Sequence, residues 1–113
     1  MATLFTKIIQ REIPSKIIYE TPTVIAIEDI HPQAPHHYLI VPKTEIATIN
    51  DLTPENVGIV GELFLAAKEI AKKFGVDEKG YRVVMNCNSD GGQSVYHIHL
   101  HFLAGRVCHW PPG

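Results

Sequence analysis

Three histidines recur at every second position near the C-terminus: His97, His99 and His101, in the run Val95-Tyr96-His97-Ile98-His99-Leu100-His101-Phe102-Leu103. Side chains alternate between faces along a strand. The spacing therefore predicts one strand over 95–103 with all three imidazoles on a single face. Tyr96, Ile98, Leu100 and Phe102 fall on the other face, and all are apolar or aromatic. Such a strand has a core side and a chemical side. Imidazole, with an unperturbed pKa of about 6.5, can serve near neutrality as base, acid, nucleophile or metal ligand. Neighbouring imidazoles disfavour each other's charged forms, so packing alone is a poor reason for a row of three.

The rest of the chain supplies the partners for this strand. Apolar residues at 4, 5, 8 and 9 predict a helix over 3–12, ended by Pro14. Residues 16–19 and 24–29 read as two strands about the turn Thr21-Pro22-Thr23. Residues 31–35 form a proline-broken loop, and 37–42 a third strand. Residues 45–51 are a connection. A second helix is predicted with Thr53 as N-cap, Pro54 at its first position and Gly75 as its stop. Its apolar face reads Val57, Val60, Phe64, Ala67, Ala71 and Phe74. A fourth strand covers 81–88 and a tight polar turn covers 89–94. With 95–103 this makes an antiparallel hairpin. The order fits an α+β domain: a five-stranded antiparallel sheet with two helices on one face and the histidines on the other.

At 113 residues the chain is one domain, 1–113. A net charge of −2 leaves no basic footprint for a nucleic-acid polymer. No apolar run of about 18 residues is present to span a membrane, and no secretory leader is expected. Two cysteines, Cys87 and Cys108, fit a reducing, cytoplasmic setting rather than a disulfide framework. Cys87 reads as a small buried hydrophobe of the fourth strand.

The turn before the triad adds to its meaning. Gly91 and Gly92 allow a close backbone approach, and successive amides in such a turn make an anion-binding hollow. Ser94 adds a hydroxyl, and Asn86 on the facing strand adds an amide. A metal site is the rival reading, with His97, His99 or His101 tied to His37 around zinc. The glycine-rich turn favours phosphate. By residue type alone, Asp29 is a strand-end carboxylate and Phe5 and Ile8 are a core stripe.

The run Ser89-Asp90-Gly91-Gly92-Gln93-Ser94-Val95-Tyr96-His97-Ile98-His99-Leu100-His101 resembles the signature of the histidine triad superfamily. Asp29-Ile30-His31-Pro32-Gln33-Ala34-Pro35 resembles its loop after the second strand. The ending His109-Trp110-Pro111-Pro112-Gly113 looks like that of the Hint branch, the histidine triad nucleotide-binding proteins. The resemblance implies a homodimer with the sheet continued between protomers. It also implies hydrolysis of the P–N bond in purine nucleoside phosphoramidates without cofactor or metal. Carried over by position, His99 is the nucleophile, His97 and His101 hold the phosphate and the proton network, and His37 supports them. Ser94 then bonds the phosphate or leaving group, with Asn86, Gly92, Gln93 and Val95 beside it, and Asp29 takes the ribose hydroxyls. Leu4, Phe5, Ile8, Ile27 and Ile30 line the purine slot. The tail 104–113, with Trp110, reaches the dimer interface and the partner's site. The family often has an aromatic residue where Ile27 stands. Other readings within reach of the residues are a dinucleoside polyphosphate hydrolase of the same superfamily and a nucleotide-binding scaffold.

Overall fold

The computed structural model describes residues 2–113. Helix α1 spans Leu4–Ile9, strand β1 Ile17–Glu20, β2 Val24–Glu28 and β3 His36–Pro42. A 3-10 turn at Ile49–Asp51 precedes the long helix α2, Gly58–Lys73. Then follow β4, Tyr81–Val84, the short helix α3, Asn88–Gly91, and β5, Leu100–Ala104. The five strands form one sheet in the order β1-β2-β3-β5-β4, with every neighbouring pair antiparallel. The α+β class and the antiparallel pairing of the last two strands match the sequence reading, although the described residues form three α-helices rather than two.

Each sheet face carries its own core. On one face, Leu63, Ala66, Ala67, Ile70 and Ala71 of α2 pack on Ala26, Tyr38, Ile40, Leu100, Phe102 and Ala104. Three of the five helix residues are alanines, which lets α2 lie close to the sheet. On the other face, Phe5 and Ile8 of α1 pack on Ile25, Ile27 and Val41. The two helices are therefore on opposite faces, and α1 shares its face with the histidines. The sequence placed both on one side.

The α2 stripe is also corrected. Ala67, Ala71 and Phe74 belong to it, but Val57 and Phe64 are exposed, and Leu63 and Ile70 are the fully buried anchors. Leu63 and Phe64 are adjacent, so their stripes differ by one residue's rotation, about 100°. The helix is apolar enough to allow either, and the fit to the sheet decides. Thr53 caps a preliminary turn, its carbonyl accepting from the Asn56 and Val57 amides, and the helix proper begins five residues later. Gly75 ends it at φ 68°, as read.

Other boundaries move for local reasons. Helix α1 stops at Ile9 because Arg11 takes φ 63° and the Glu12 amide closes back on the Lys7 carbonyl. Strand β4 ends at Val84, so Cys87 is half-buried just before α3 rather than a buried strand residue. The predicted 95–103 strand is regular only from Leu100, and Tyr96 is exposed.

Gly105 lies at φ 95°, and a Cβ built there would sit 2.8 Å from Cβ of Pro35. Gly105→Ala is expected to cost about 1–2 kcal/mol in urea denaturation, from backbone strain and overpacking together.

Candidate active site

Register explains which imidazoles meet. In the β3–β5 ladder His37 pairs Leu103 and Leu39 pairs His101. His37 and His101 are thus diagonal neighbours on one face, and His37 Nε2 lies 3.0 Å from His101 Nδ1. His97 and His99 precede the regular strand, where the chain bends in from α3. The three rings do not form an exposed row. His97 is fully buried, His99 is 6% exposed and His101 is half-buried.

The surroundings fix each ring's tautomer. A carbonyl oxygen only accepts. His99 Nδ1 lies 2.8 Å from the His97 carbonyl, so Nδ1 carries the proton and Nε2 keeps its lone pair. His97 Nε2 lies 2.7 Å from the Pro42 carbonyl, so Nε2–H donates, and Nδ1 faces the Thr3 hydroxyl at 3.5 Å. The Gln33 amide donates to His37 Nδ1 at 3.0 Å. Neutral His37 therefore bears its proton on Nε2 and donates to His101 Nδ1. That leaves His101 with its proton on Nε2, which has no partner among the described residues. The site thus offers a lone pair on His99 and a donor on His101, with ring centroids 5.1 Å apart.

Burial lowers the pKa of all four imidazoles. For His97 and His99 it outweighs the backbone acceptors that favour protonation. For His37 it outweighs Asp29, 3.4 Å away. His101 is pushed down to about 4, by burial first and then by His99 and His37. Near neutral pH the cluster is uncharged.

Among the described residues, Asp29, His37 and His101 are the group that could hold a metal ion, with one donor atom from each all within 4.8 Å. The donor set resists it. A metal on His37 Nε2 needs the proton on Nδ1, where the Gln33 N–H already points.

The phosphate side differs from the sequence reading. The Gly92 and Gln93 amides close α3 by bonding the Ser89 and Asn88 carbonyls. The Gln93 side chain is buried, accepting from the Asn88 amide and donating to the Ala47 and Val95 carbonyls. Gly92 and Gln93 therefore build the loop instead of offering groups to a ligand. Ser94 is exposed, and Asn86 is half-buried beside Gly91. Among the described residues, neither their side chains nor the Ser94 and Val95 amides have a hydrogen-bond partner.

The apolar residues also divide. Phe5, Ile8 and Ile27 are sealed in the core, and the Phe5 ring meets His99 edge-on at 4.9 Å. They form a wall behind the imidazoles rather than an open slot. Leu4 and Ile30 are exposed, Ile30 by 85%. Asp29 is largely shielded, with one oxygen accepting from the His31 amide. His36 points to the α2 face, bonded to the Tyr38 hydroxyl, away from the triad. Trp110 is 82% exposed on a tail held to β4 by the Arg82 guanidinium on the His109 carbonyl. Clefts of about 620 and 410 Å³ lie elsewhere and include no triad residue. Sequence reasoning missed Gln33, whose amide sets the relay, and Thr3, which reaches His97. Neither residue type signals such a role.

The HIT domain pattern matches residues 10–107. A purine nucleoside phosphoramidase of Escherichia coli (strain K12) is 51% identical over 104 residues, covering 92% of this chain and 87% of that protein. A HIT family hydrolase from Legionella pneumophila Philadelphia 1 has a crystal structure matching at TM-score 0.96 and 50% identity, over 99% of this chain and 100% of that one. A histidine triad nucleotide-binding protein from Candida albicans matches at TM-score 0.80 and 31% identity, over 89% and 73%. With its imidazoles ordered by backbone and its sequence matched along nearly its whole length, the chain belongs to the HIT domain family.

Proposed function

We propose that this protein hydrolyses the P–N bond of purine nucleoside 5′-phosphoramidates through a nucleotidyl–His99 intermediate. The observation that carries the reading is the 2.8 Å contact of His99 Nδ1 with the His97 carbonyl. It leaves a neutral ring with its nucleophilic nitrogen unprotonated. The phosphoramidase name of the Escherichia coli relative supports the bond type and the purine nucleoside.

In the first step the His99 Nε2 lone pair forms a bond to the α-phosphorus. The P–N bond breaks, its electron pair stays on the amine, and the amine takes a proton relayed from solvent by the Ser94 hydroxyl. His99 keeps Nδ1–H on the His97 carbonyl, so the phosphorylated ring is cationic and a good leaving group. In the second step water attacks phosphorus and gives up a proton to solvent through the Ser94 hydroxyl, while the P–Nε2 bond breaks and its pair returns to His99. His101 Nε2–H donates to a phosphoryl oxygen throughout, and His37 holds His101 in that tautomer. His97 contributes its carbonyl more than its ring. Asn86 and the Ser94 and Val95 amides bind the phosphate. Asp29 takes the ribose, and Leu4 and Ile30 cover the base. No metal or cofactor enters these steps.

We further propose that the protein is a cytoplasmic homodimer. Val57 just before α2, and Phe64 and Leu65 on it, leave apolar surface exposed, and β4 is an edge strand of the sheet. Trp110 then has a partner protomer to reach. Sedimentation at micromolar concentration is expected to give a dimer.

The reading is tested with adenosine 5′-phosphoramidate and a dinucleoside polyphosphate side by side. Faster turnover of the phosphoramidate is expected, with an adenylate mass on the His99 peptide after an acid-free quench. Turnover is expected to be unchanged by a chelator. Faster cleavage of the P–O–P substrate would replace the proposed bond type, and loss of activity on chelation would restore the metal reading.

A further inference from the structure

We propose that Arg106 is a positioning residue for the histidine relay, acting through the Gln33 peptide to hold His101 as a proton donor. Arg106 lies outside the triad and is itself exposed. Its Nε–H donates to the Gln33 carbonyl at 2.8 Å. The Gln33 amide donates to His37 Nδ1 at 3.0 Å, and His37 Nε2 lies 3.0 Å from His101 Nδ1. These three bonds form a continuous path from the foot of the tail to the phosphate side of the site. The neighbouring residues press the same two segments together, since Gly105 meets Pro35 with no room for a side chain. The loop between is braced as well: Gln33 Nε2 donates to the His31 carbonyl, and the His31 amide donates to Asp29.

The bond has a chemical consequence. If the Gln33 peptide turns away, His37 loses the donor that keeps Nδ1 unprotonated. Part of the population can then carry the proton on Nδ1, against the pull of Asp29 Oδ2 at 3.4 Å from Nε2, and in it Nε2 becomes an acceptor. His101 must in turn place its proton on Nδ1, which leaves a lone pair on Nε2 facing the anionic phosphate. A donor becomes a repelling acceptor while both rings stay in place. The Arg106 charge also acts directly on His37. It disfavours protonation there, in the same direction as burial and against Asp29.

This inference rests on His101 donating to phosphate in the proposed reaction, so its test has an arm free of substrate. Arg106→Met keeps the aliphatic stem and removes the donors. Nitrogen-15 NMR of labelled histidines reads the tautomers directly. In the wild type His101 is expected to show protonated Nε2 and bare Nδ1; in Arg106→Met a mixture of tautomers is expected. kcat/KM for the phosphoramidate is expected to fall about tenfold, part of a general donor's contribution. The midpoint of thermal unfolding is expected to stay within a few degrees, since the site is on the surface. Arg106→Lys, which keeps the charge and a donor but not the guanidinium geometry, is expected to fall between. Unchanged His101 tautomers in Arg106→Met overturn the inference. A tautomer shift without loss of kcat/KM overturns the role given to His101 while leaving the structural path intact.

Discussion

His99→Asn is expected to abolish phosphoramidate turnover, by at least about 10⁴-fold, because it removes the proposed nucleophile rather than weakening an interaction. The asparagine amide can still donate to the His97 carbonyl that now receives His99 Nδ1–H. The buried acceptor stays satisfied, so the fold and the nucleotide site are expected to survive. Binding of a nucleoside monophosphate, read by calorimetry, is expected to change by less than about tenfold. The adenylate mass is expected to vanish from the peptide spanning residue 99. Covalent catalysis by His99 would be refuted by an Asn variant that still turns over, or that carries the adduct elsewhere. A phenotype that outlives the lost turnover would show binding to be the property the cell uses. His101→Asn should lose less, since a donor is removed and the nucleophile remains.

The second large effect is acid destabilisation. His37, His97, His99 and His101 all have folded-state pKa values below the ordinary histidine value of 6.5, burial being the first cause in each. The unfolded chain then binds protons more readily than the folded one. Stability is full above pH 6.5 and falls as the pH drops through the folded values, toward about 4 for His101. His101 alone accounts for up to about 3 kcal/mol across that window. The others act in the same direction, and the four titrate as a coupled set. Urea denaturation between pH 7.5 and 4 is expected to show this loss, and His101→Asn is expected to flatten it. A profile level down to pH 4.5 would mean that the cluster is not neutral and buried as described.

These expectations depend on features of unequal visibility in the sequence. The residue types were plain, since alternating histidines, a glycine-rich turn and a proline-capped helix are local patterns. The antiparallel order of the strands also followed from short connections. The helix phase was not legible, because α2 carries apolar residues at both Leu63 and Phe64, and only docking on the sheet chooses between them. The side taken by α1 was equally hidden. Its stripe of Phe5 and Ile8 suits any apolar surface, and Ile25, Ile27 and Val41 give the histidine-bearing face one as well. The glycine turn serves the fold: Gly92 is needed for its φ of 82°, but its amide is consumed in closing α3.

By itself the sequence determined that imidazoles would gather beside a glycine-containing turn on an antiparallel sheet, because side-chain alternation and turn chemistry act over a few residues. The tertiary structure alone decided what each ring can do. A histidine's tautomer is set by whatever faces its second nitrogen. For His97 that partner is the Pro42 carbonyl, 55 residues away, and for His101 it is a ring 64 residues away. Contacts at that separation exist only once the sheet has formed, so the proton positions on His97 and His101 are a property of the fold, whereas His99 takes its own from a carbonyl two residues away.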